Sequence, residues 1–196
     1  PEGIYTAQLD LLYINGNNPS DNSPPFNLDL TPPSVQTKAQ WDVFSPNGDG
    51  RKDFLVIFKE TSREEVWTGS VTNEDGDEMY SITWKGNAEA KYSWDGRDED
   101  GNLLEDGSYF YQLSSTDLAG NSVQSNIVAF EIDTRETPIQ LAFELTHFSP
   151  NGDGKKDTQT FSPELGVSDT IESYEIVVLD SLENPVKTFS GGGTPP

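Results

Sequence analysis

Two almost identical decapeptides carry the side chains whose types and spacing best suit cation binding. Residues 44–53 read FSPNGDGRKD, and residues 148–157 read FSPNGDGKKD. A hard cation such as Ca²⁺ takes six to eight oxygen ligands, and short polar side chains at alternate positions beside a glycine can supply several of them. The spacing therefore predicts a calcium site in each decapeptide. The predicted ligands are Asn47, Asp49, Arg51 (through its carbonyl) and Asp53, then Asn151, Asp153, Lys155 (through its carbonyl) and Asp157, with Asp133 from a neighbouring strand.

A self-capped turn is the alternative interpretation of the same residues. The twelfth position of an EF-hand loop, where a glutamate is expected, is Val56 in one copy and Thr160 in the other. Two basic residues also lie inside each decapeptide, which weakens its attraction for a cation. Asn and Asp side chains cap backbone amides in tight turns, where glycine takes positive φ. The sequence leaves both interpretations open.

The decapeptides belong to a long tandem repeat. They lie 104 residues apart, the distance from Phe44 to Phe148, and the same distance aligns Tyr5 with Tyr109 and Phe26 with Phe130. A period of about 100 residues is the size of a β-sandwich domain, not of a small solenoid repeat. We predict three parts. They are residues 1–33, the last two strands of one unit; residues 34–135, a complete unit; and residues 136–196, the first four strands of a further unit.

Short runs of β-branched and aromatic residues, separated by Gly, Asn, Asp and Pro, predict an all-β fold. About seven strands in the complete unit favour a tandem array of immunoglobulin-like sandwiches. The predicted strands cover residues 35–43, 53–60, 65–73, 78–84, 89–94, 108–116 and 123–132. The aromatic residues expected in the core are Phe44, Phe58, Trp94, Tyr109, Tyr111 and Phe130. Because strands alternate in direction, the loop after the first strand, the loop after the fifth and the end of the last are expected at one end.

Several short motifs in the complete unit occur in a fixed order. These are F-S-P-N-G-D-G-x-x-D from Phe44, W-D-G from Trp94, D-G-x-Y from Asp106 and D-x-A-G-N from Asp117. In this order they resemble the immunoglobulin-like modules of flagellar hook-capping proteins and those of large secreted bacterial proteins, including the gliding-motility-associated C-terminal type. The resemblance implies a bacterial protein outside the cytoplasm, at the cell surface, secreted or periplasmic. Tyr13 stands where Asp117 stands in the complete unit, so this aspartate is not common to every copy.

The bulk composition excludes several classes of function. The net charge is −22, which disfavours nucleic acid and anionic membranes as partners, and no apolar run is long enough for membrane insertion. The absence of cysteine excludes disulfides and thiolate metal sites. The single histidine, His147, has no nucleophile motif beside it, and we expect no enzymatic activity.

These observations predict a structural or adhesive array: a stalk, spacer or fibre element stabilised by calcium. The expected partners are neighbouring immunoglobulin-like modules, in the same chain or in another copy joined head to tail by strand complementation, with a glycan or cell-surface ligand as a further partner. The alternative function is a carbohydrate-binding module. It requires Trp67 and Trp84 to form an exposed aromatic platform.

Overall fold

Every regular element in the described part of the chain is a β-strand. The computed structural model describes residues 1–166 and 171–195, and it divides into two units, Pro1–Thr134 and Arg135–Pro196. The predicted all-β class is confirmed. The predicted three-part division stays a prediction, and residues 167–170 and Pro196 of its third part lie outside the described residues. Among the residues described, no helix is long and apolar enough to cross a membrane.

The first 33 residues form two short antiparallel pairs. Strand β1 (Gly3–Tyr5) pairs with β4 (Phe26–Leu28), and β2 (Gln8–Asp10) pairs with β3 (Ser20–Asn22). Together they make a long hairpin, whose turn lies at residues 13–17.

Residues 34–134, hereafter the complete sandwich, contain two sheets. The strands are β5 (Val35–Ala39), β6 (Val43–Phe44), β7 (Leu55–Thr61), β8 (Glu64–Thr72), β9 (Glu78–Gly86), β10 (Lys91–Trp94), β11 (Gly107–Thr116), β12 (Ser122–Gln124) and β13 (Val128–Ile132). One sheet has the order β10-β7-β5; the other has the order β6-β13-β11-β8-β9, with β12 also paired to β11.

All seven predicted strands are present, but the first and the last are each divided in two. The first begins in the small sheet as β5 and ends in the large sheet as β6, where it runs parallel to β13. The change of sheet turns Phe44 into the core, where it is 1% exposed. Simple alternation along residues 35–43 could not show this crossing, because the pairing partner lies almost 90 residues further along the chain.

The core consists of apolar side chains on the inward faces of both sheets. Aromatic rings pack closely in it: the Phe44 and Trp94 centroids are 6.0 Å apart, and Trp94 meets Phe130 edge-on at 5.8 Å. Burying each such side chain contributes roughly 1.5–3 kcal/mol. The largest fully buried side chains are Trp67, Tyr111, Phe44, Leu55, Ile57, Leu113 and Ile132.

The prediction for Phe58 was wrong, and the other five aromatic residues expected in the core are buried. Phe58 alternates with Ile57 and Lys59 along β7, so its side chain faces outward and is 45% exposed. Lys59 therefore takes the inward position that the aromatic residue was expected to hold.

The second unit contains two separate strand pairs. Strand β14 (Ile139–Phe143) pairs with β15 (Phe161–Leu165), and β16 (Ser173–Leu179) pairs with β17 (Pro185–Gly192). In this unit Phe148, the counterpart of Phe44, is 51% exposed. The described strands of this unit thus leave much of their apolar surface uncovered.

Candidate functional site at the loop end of the sandwich

Three elements of the complete sandwich meet at one end, as strand alternation predicts. They are the loop 45–54, the loop 95–106 and the end of β13. The carbonyl of Phe44 accepts a hydrogen bond from the Asp133 amide at 3.1 Å. A Cβ added at Gly96 would lie 3.1 Å from Cγ of Pro46, so the two loops touch at a point where only glycine fits. We call this the loop end.

The Asp53 carboxylate organises the first N-G-D-G loop. Its two oxygens accept hydrogen bonds from the backbone N–H groups of Gly48 and Gly50, at 2.7 and 2.8 Å. Both glycines have φ of 84°, in the left-handed region where other residues are strained. These two dihedrals turn the N–H groups toward the carboxylate, which closes the loop on itself.

Asn47 and Asp49 cap the same loop from within. The Asn47 Oδ1 accepts from the Asp49 amide at 3.0 Å, and the Asp49 Oδ1 accepts from the Arg51 amide at 2.7 Å. The Ser45 amide donates to the Lys52 carbonyl at 3.0 Å, which joins the two sides of the loop. Each of these polar side chains therefore satisfies a backbone donor that would otherwise need water.

The second N-G-D-G loop repeats this arrangement bond for bond. The Asp157 oxygens accept from Gly152 and Gly154 at 2.9 and 2.8 Å. Asn151 and Asp153 accept from the amides two residues on, at 3.1 and 2.8 Å. Lys52 and Lys156 even share an unusual positive φ, 53° and 55°. The loop conformation is therefore a property of the decapeptide.

The hydrogen bonds inside these loops favour a self-capped turn over a cation site. The side-chain oxygens of Asn47, Asp49 and Asp53, and those of their counterparts in the second loop, accept N–H groups, whose partial positive charge lies where a cation would be held. Within residues 1–166 and 171–195, no three His, Cys, Asp or Glu side chains are grouped so that they could hold a metal ion. Asp133 is joined to the loop through its backbone amide. Calcium binding by the predicted residues stays a prediction.

Electrostatic pairing at the loop end is modest. In the described part of the chain, the ion pair found here joins Arg97 Nε to Asp95 Oδ2 at 3.5 Å, and both side chains are about half exposed. Exposed pairs of this kind contribute little to stability. Hydrogen bonds and apolar packing therefore contribute more to the loop end than this ion pair does.

A five-residue turn recurs along the chain. In residues 117–121 the Asp117 Oδ1 accepts from the Asn121 amide at 2.9 Å, and the Asn121 side chain donates to Asp117 Oδ2 at 2.9 Å. These bonds from Asn121 hold the pKa of Asp117 below its ordinary value. The same backbone pattern closes residues 13–17, 73–77, 98–102 and 180–184. The D-x-A-G-N motif is thus a turn signal.

The tryptophan platform that the alternative function requires is not formed. Trp67 and Trp84 are 0% and 8% exposed, because they lie opposite each other on the inward faces of β8 and β9. The indole N–H of Trp67 donates to the Ser62 carbonyl at 3.0 Å, so its polar edge is also satisfied within the protein. Neither ring is available to a sugar.

Lys59 is a chemically unusual residue that the sequence interpretation missed. It is 3% exposed, and its Nζ lies 3.3 Å from the centroid of the Trp84 ring. Its Nζ has no hydrogen-bond partner among the described residues. Burial lowers the pKa of Lys59 from 10.5 to about 8. The alternation of Leu55, Ile57 and Lys59 along β7 could have predicted that the Lys59 side chain points into the core.

The chain is similar to a curated relative and to several solved structures. The C5a peptidase of Streptococcus pyogenes is 26% identical over 123 residues, 53% of this chain, and this chain spans about a tenth of its length. The crystal structure of dimeric latent PorU from Porphyromonas gingivalis aligns with TM-score 0.44 and 14% identity, over 69% of this chain and 13% of that one. A tetra-tandem repeat from the extending region of a large adhesion protein aligns with TM-score 0.42 and 20% identity, over 98% and 48%.

A family model matches residues 38–129, which is nearly the whole complete sandwich. Its description and the streptococcal relative indicate a secreted, cell-surface protein, so the predicted extracellular localisation is confirmed. The resemblance to modules of large secreted bacterial proteins is confirmed with it, whereas the likeness to hook-capping modules stays a prediction. The complete sandwich is the part of this chain that matches the CHU_C type IX secretion signal domain.

Proposed function

We propose that this chain is a non-enzymatic structural segment of a secreted, cell-surface protein, in which repeated sandwiches serve as stiff spacers. The observation that carries the proposal is the sealed core of residues 34–134 together with a loop end closed by its own hydrogen bonds. The polar side chains of such a module cap its turns, so few of them remain for catalysis. The only histidine, His147, supports a non-enzymatic role, because its Nδ1 lies 3.2 Å from the Thr146 hydroxyl on an exposed surface.

The joint before the complete sandwich also supports a stiff spacer. Pro33 is buried, and its neighbour Ser34 donates its amide to the Ser62 hydroxyl at 2.9 Å. The Asn121 side chain donates to the Asp29 carbonyl at 3.3 Å, which ties the preceding segment to a turn of the sandwich. Proline fixes the backbone φ angle, and these hydrogen bonds further restrict the motion of the joint.

A distance distribution across this joint tests the proposal. Because the chain has no cysteine, Asn15→Cys and Asp75→Cys give two unique dye sites on exposed turns of the first unit. Single-molecule energy transfer should show one narrow distribution, which broadens when Pro32 and Pro33 are both replaced by glycine. A broad distribution in the parent protein would contradict the spacer function.

Calcium ordering of the loop end is the alternative form of this proposal. A cation bound only by the folded protein raises its unfolding midpoint with concentration. Thermal unfolding in millimolar calcium and in chelator separates the two forms. A self-capped loop gives equal midpoints, and a calcium-ordered loop gives a higher midpoint with calcium, which Asp53→Ala would abolish.

The match of residues 38–129 to a secretion signal domain favours a second function for the same module. We propose that the complete sandwich can direct a passenger protein out of the cell. Residues 34–134 fused to a periplasm-targeted reporter should bring it to the surface or medium of a bacterium with type IX secretion. A Phe44→Ala fusion, which disrupts the core, is the control. Reporter that stays in the periplasm would argue against this function.

A further inference from the structure

The outer face of the small sheet carries an exposed aromatic side chain between two lysines. Phe58 of β7 lies opposite Lys38 of β5 on one side and opposite Lys91 of β10 on the other. All three side chains are exposed, and that of Phe58 is 45% exposed. Adjacent strands lie about 4.8 Å apart, so the two lysine backbones are about 10 Å apart with the aromatic residue between them. We call these three residues the Lys–Phe–Lys row.

The two lysines keep their positive charge available, although the chain is rich in acids. It contains 34 acidic and 12 basic residues. Glu60 on β7 and Glu89 just before β10 border the row on one side, and both are exposed. Even so, among the residues that the structure describes, neither Lys38 nor Lys91 forms an ion pair. An anionic group from outside the chain therefore meets two unpaired ammonium groups here.

The fold does not require the Lys–Phe–Lys row. In the second unit Ala142 pairs with Ser162, as Lys38 pairs with Phe58 in the complete sandwich, and each residue lies 104 positions from its counterpart. The same strand pair therefore forms with small side chains at these two places. The row is a feature of the complete sandwich and not of the repeat, which favours a role in binding over a role in folding.

A shallow groove beside the Phe58 ring supplies further polar groups. Its lining includes Gln36, Lys38, Phe58 and Glu60. An apolar ring is thus combined with an amide, an ammonium group and a carboxylate. This combination suits a sugar, because the C–H face of a sugar ring packs on an aromatic ring while its hydroxyls both donate and accept hydrogen bonds.

An added peptide strand fits this sheet less well than a glycan does. The Asn126 side chain already occupies the middle of the free edge of β5. Its Oδ1 accepts from the Thr37 amide at 3.2 Å, and its Nδ2 donates to the Thr37 carbonyl at 3.0 Å. A peptide that extends a sheet needs these backbone groups. The side chains on the outer face therefore remain as the accessible features.

We propose that the Lys–Phe–Lys row binds an acidic glycan, with one sugar ring on Phe58 and carboxylates beside Lys38 and Lys91. The net charge of −22 repels a densely charged polyanion. At physiological salt, however, charges act over only about 8 Å, so a glycan with well-separated carboxylates responds mainly to the two nearby lysines. Binding at this row goes beyond the spacer function and is independent of it.

An NMR titration of the full chain with a hyaluronan octasaccharide tests the site. A carboxylated sugar alternates with a neutral one in this glycan, so its charges are well separated. We expect chemical-shift changes concentrated at the amides of β5, β7 and β10 around Phe58. The same octasaccharide with its carboxylates reduced to alcohols should bind about threefold to tenfold more weakly, because it loses its attraction to the lysines.

Variants with the residues of the second unit separate the contributions of the ring and the charge. Phe58→Ser should weaken binding about tenfold, and Lys38→Ala about threefold. Phe148→Ser, at a phenylalanine 51% exposed in the second unit, and Lys85→Ala, at an exposed lysine of β9, are the matched controls. All four side chains are exposed, so an unchanged unfolding midpoint should accompany each substitution.

The outcomes of the titration distinguish the proposal from its rivals. Localised shifts that are weakened by Phe58→Ser and Lys38→Ala, and kept in both controls, would support it. No shifts up to about 10 mM octasaccharide, or equal binding by Phe58→Ser or of the carboxyl-reduced octasaccharide, would overturn it. A glutamate oligopeptide that shifts the same amides at lower concentration would also overturn it, in favour of an acidic protein partner.

Discussion

The two N-G-D-G loops have the same conformation in different surroundings. Phe44, at the start of the first loop, is 1% exposed in the core, and Phe148, at the start of the second, is 51% exposed. Yet Asp53 and Asp157 accept the same pair of glycine amides within 0.2 Å of the same distances. The comparison shows that the ten residues are enough to fix the conformation of the loop. Burial of the phenylalanine, by contrast, needs strands from both ends of the repeat.

Replacing the phenylalanine at the start of each loop by alanine should give the largest difference in stability between the two loops. Phe44→Ala should destabilise the complete sandwich by about 3–5 kcal/mol, because it leaves a cavity among Trp94 and Phe130. Phe148→Ala should leave the same sandwich unchanged. Urea unfolding monitored by tryptophan fluorescence reports on this sandwich alone, because all four tryptophans lie within it.

If Phe44→Ala cost less than about 1 kcal/mol, the sealed core would not be the source of stability that we describe. A loss of similar size in Phe148→Ala would show that the second unit supports the first.

Lys59 distinguishes the complete sandwich from the partial one, where Pro163 takes the equivalent place 104 residues later. Lys59→Met should raise the unfolding free energy by about 1–3 kcal/mol at neutral pH, because a buried amine loses its hydration. Lys38→Met, on the neighbouring strand and exposed, should change it little.

The pH dependence of the same protein has a definite sign. The folded-state pKa of Lys59 is about 8 and its ordinary value is 10.5. The folded state therefore releases the proton first, and stability rises as pH increases from 8 toward 10.5. Burial raises the pKa of Tyr111, so ionisation of tyrosine in the unfolded chain opposes this rise near pH 10. The difference between parent and Lys59→Met unfolding curves should shrink between pH 8 and 9.5, and a constant difference would contradict a buried, titrating amine.

Loss of the capping carboxylate should affect both loops alike. Asp53→Ala leaves the Gly48 and Gly50 amides without their acceptor and should cost about 1–2 kcal/mol in the complete sandwich. Amide hydrogen exchange should accelerate at Gly48 and Gly50, and equally at Gly152 and Gly154 in Asp157→Ala. Faster exchange in only one loop would mean that its surroundings, and not its sequence, hold the conformation.

The five-residue turns offer the smallest and most local test. Hydrogen bonds from Asn121 keep the pKa of Asp117 below its ordinary value of 3.8. Any stability that these bonds confer is present above pH 3.8 and is lost as pH falls through the lower folded-state pKa. Asn121→Ala should move the pKa of Asp117 back upward in a carboxyl NMR titration. An unchanged pKa would exclude the side-chain bond as its cause.

The sequence predicted what depends on local patterns and missed what depends on distant pairing. Turn residues and alternation placed all seven strands of the complete sandwich, and their alternating direction placed the loop end. The division of the first strand between two sheets depends on β13, far along the chain, so local alternation could not show it. Alternation also allowed an exposed Trp67 and Trp84 as the alternative, because it gives two faces of a strand without telling which one is inside.

The predicted ligand set shows the same limit in chemical terms. Asn47, Asp49 and Asp53 were chosen for their oxygens, which suit both a cation and a backbone amide. The choice between them depends on where the loop amides point, and that follows from positive φ at Gly48 and Gly50. A sequence shows that glycine can adopt these angles, but not that the amides turn toward the carboxylate.

Hydrogen exchange along the whole chain at low micromolar concentration tests the central claim most directly. The claim is that residues 34–134 form a sealed sandwich, whereas the side chains of the strand pairs β1–β4 and β14–β15 are exposed or half-exposed. We predict that amides of β7 and β11 exchange only through global unfolding, whereas those of β1, β15 and β16 exchange orders of magnitude faster through local opening. Equal protection of β15 and β7 in a monomeric sample would contradict the claim.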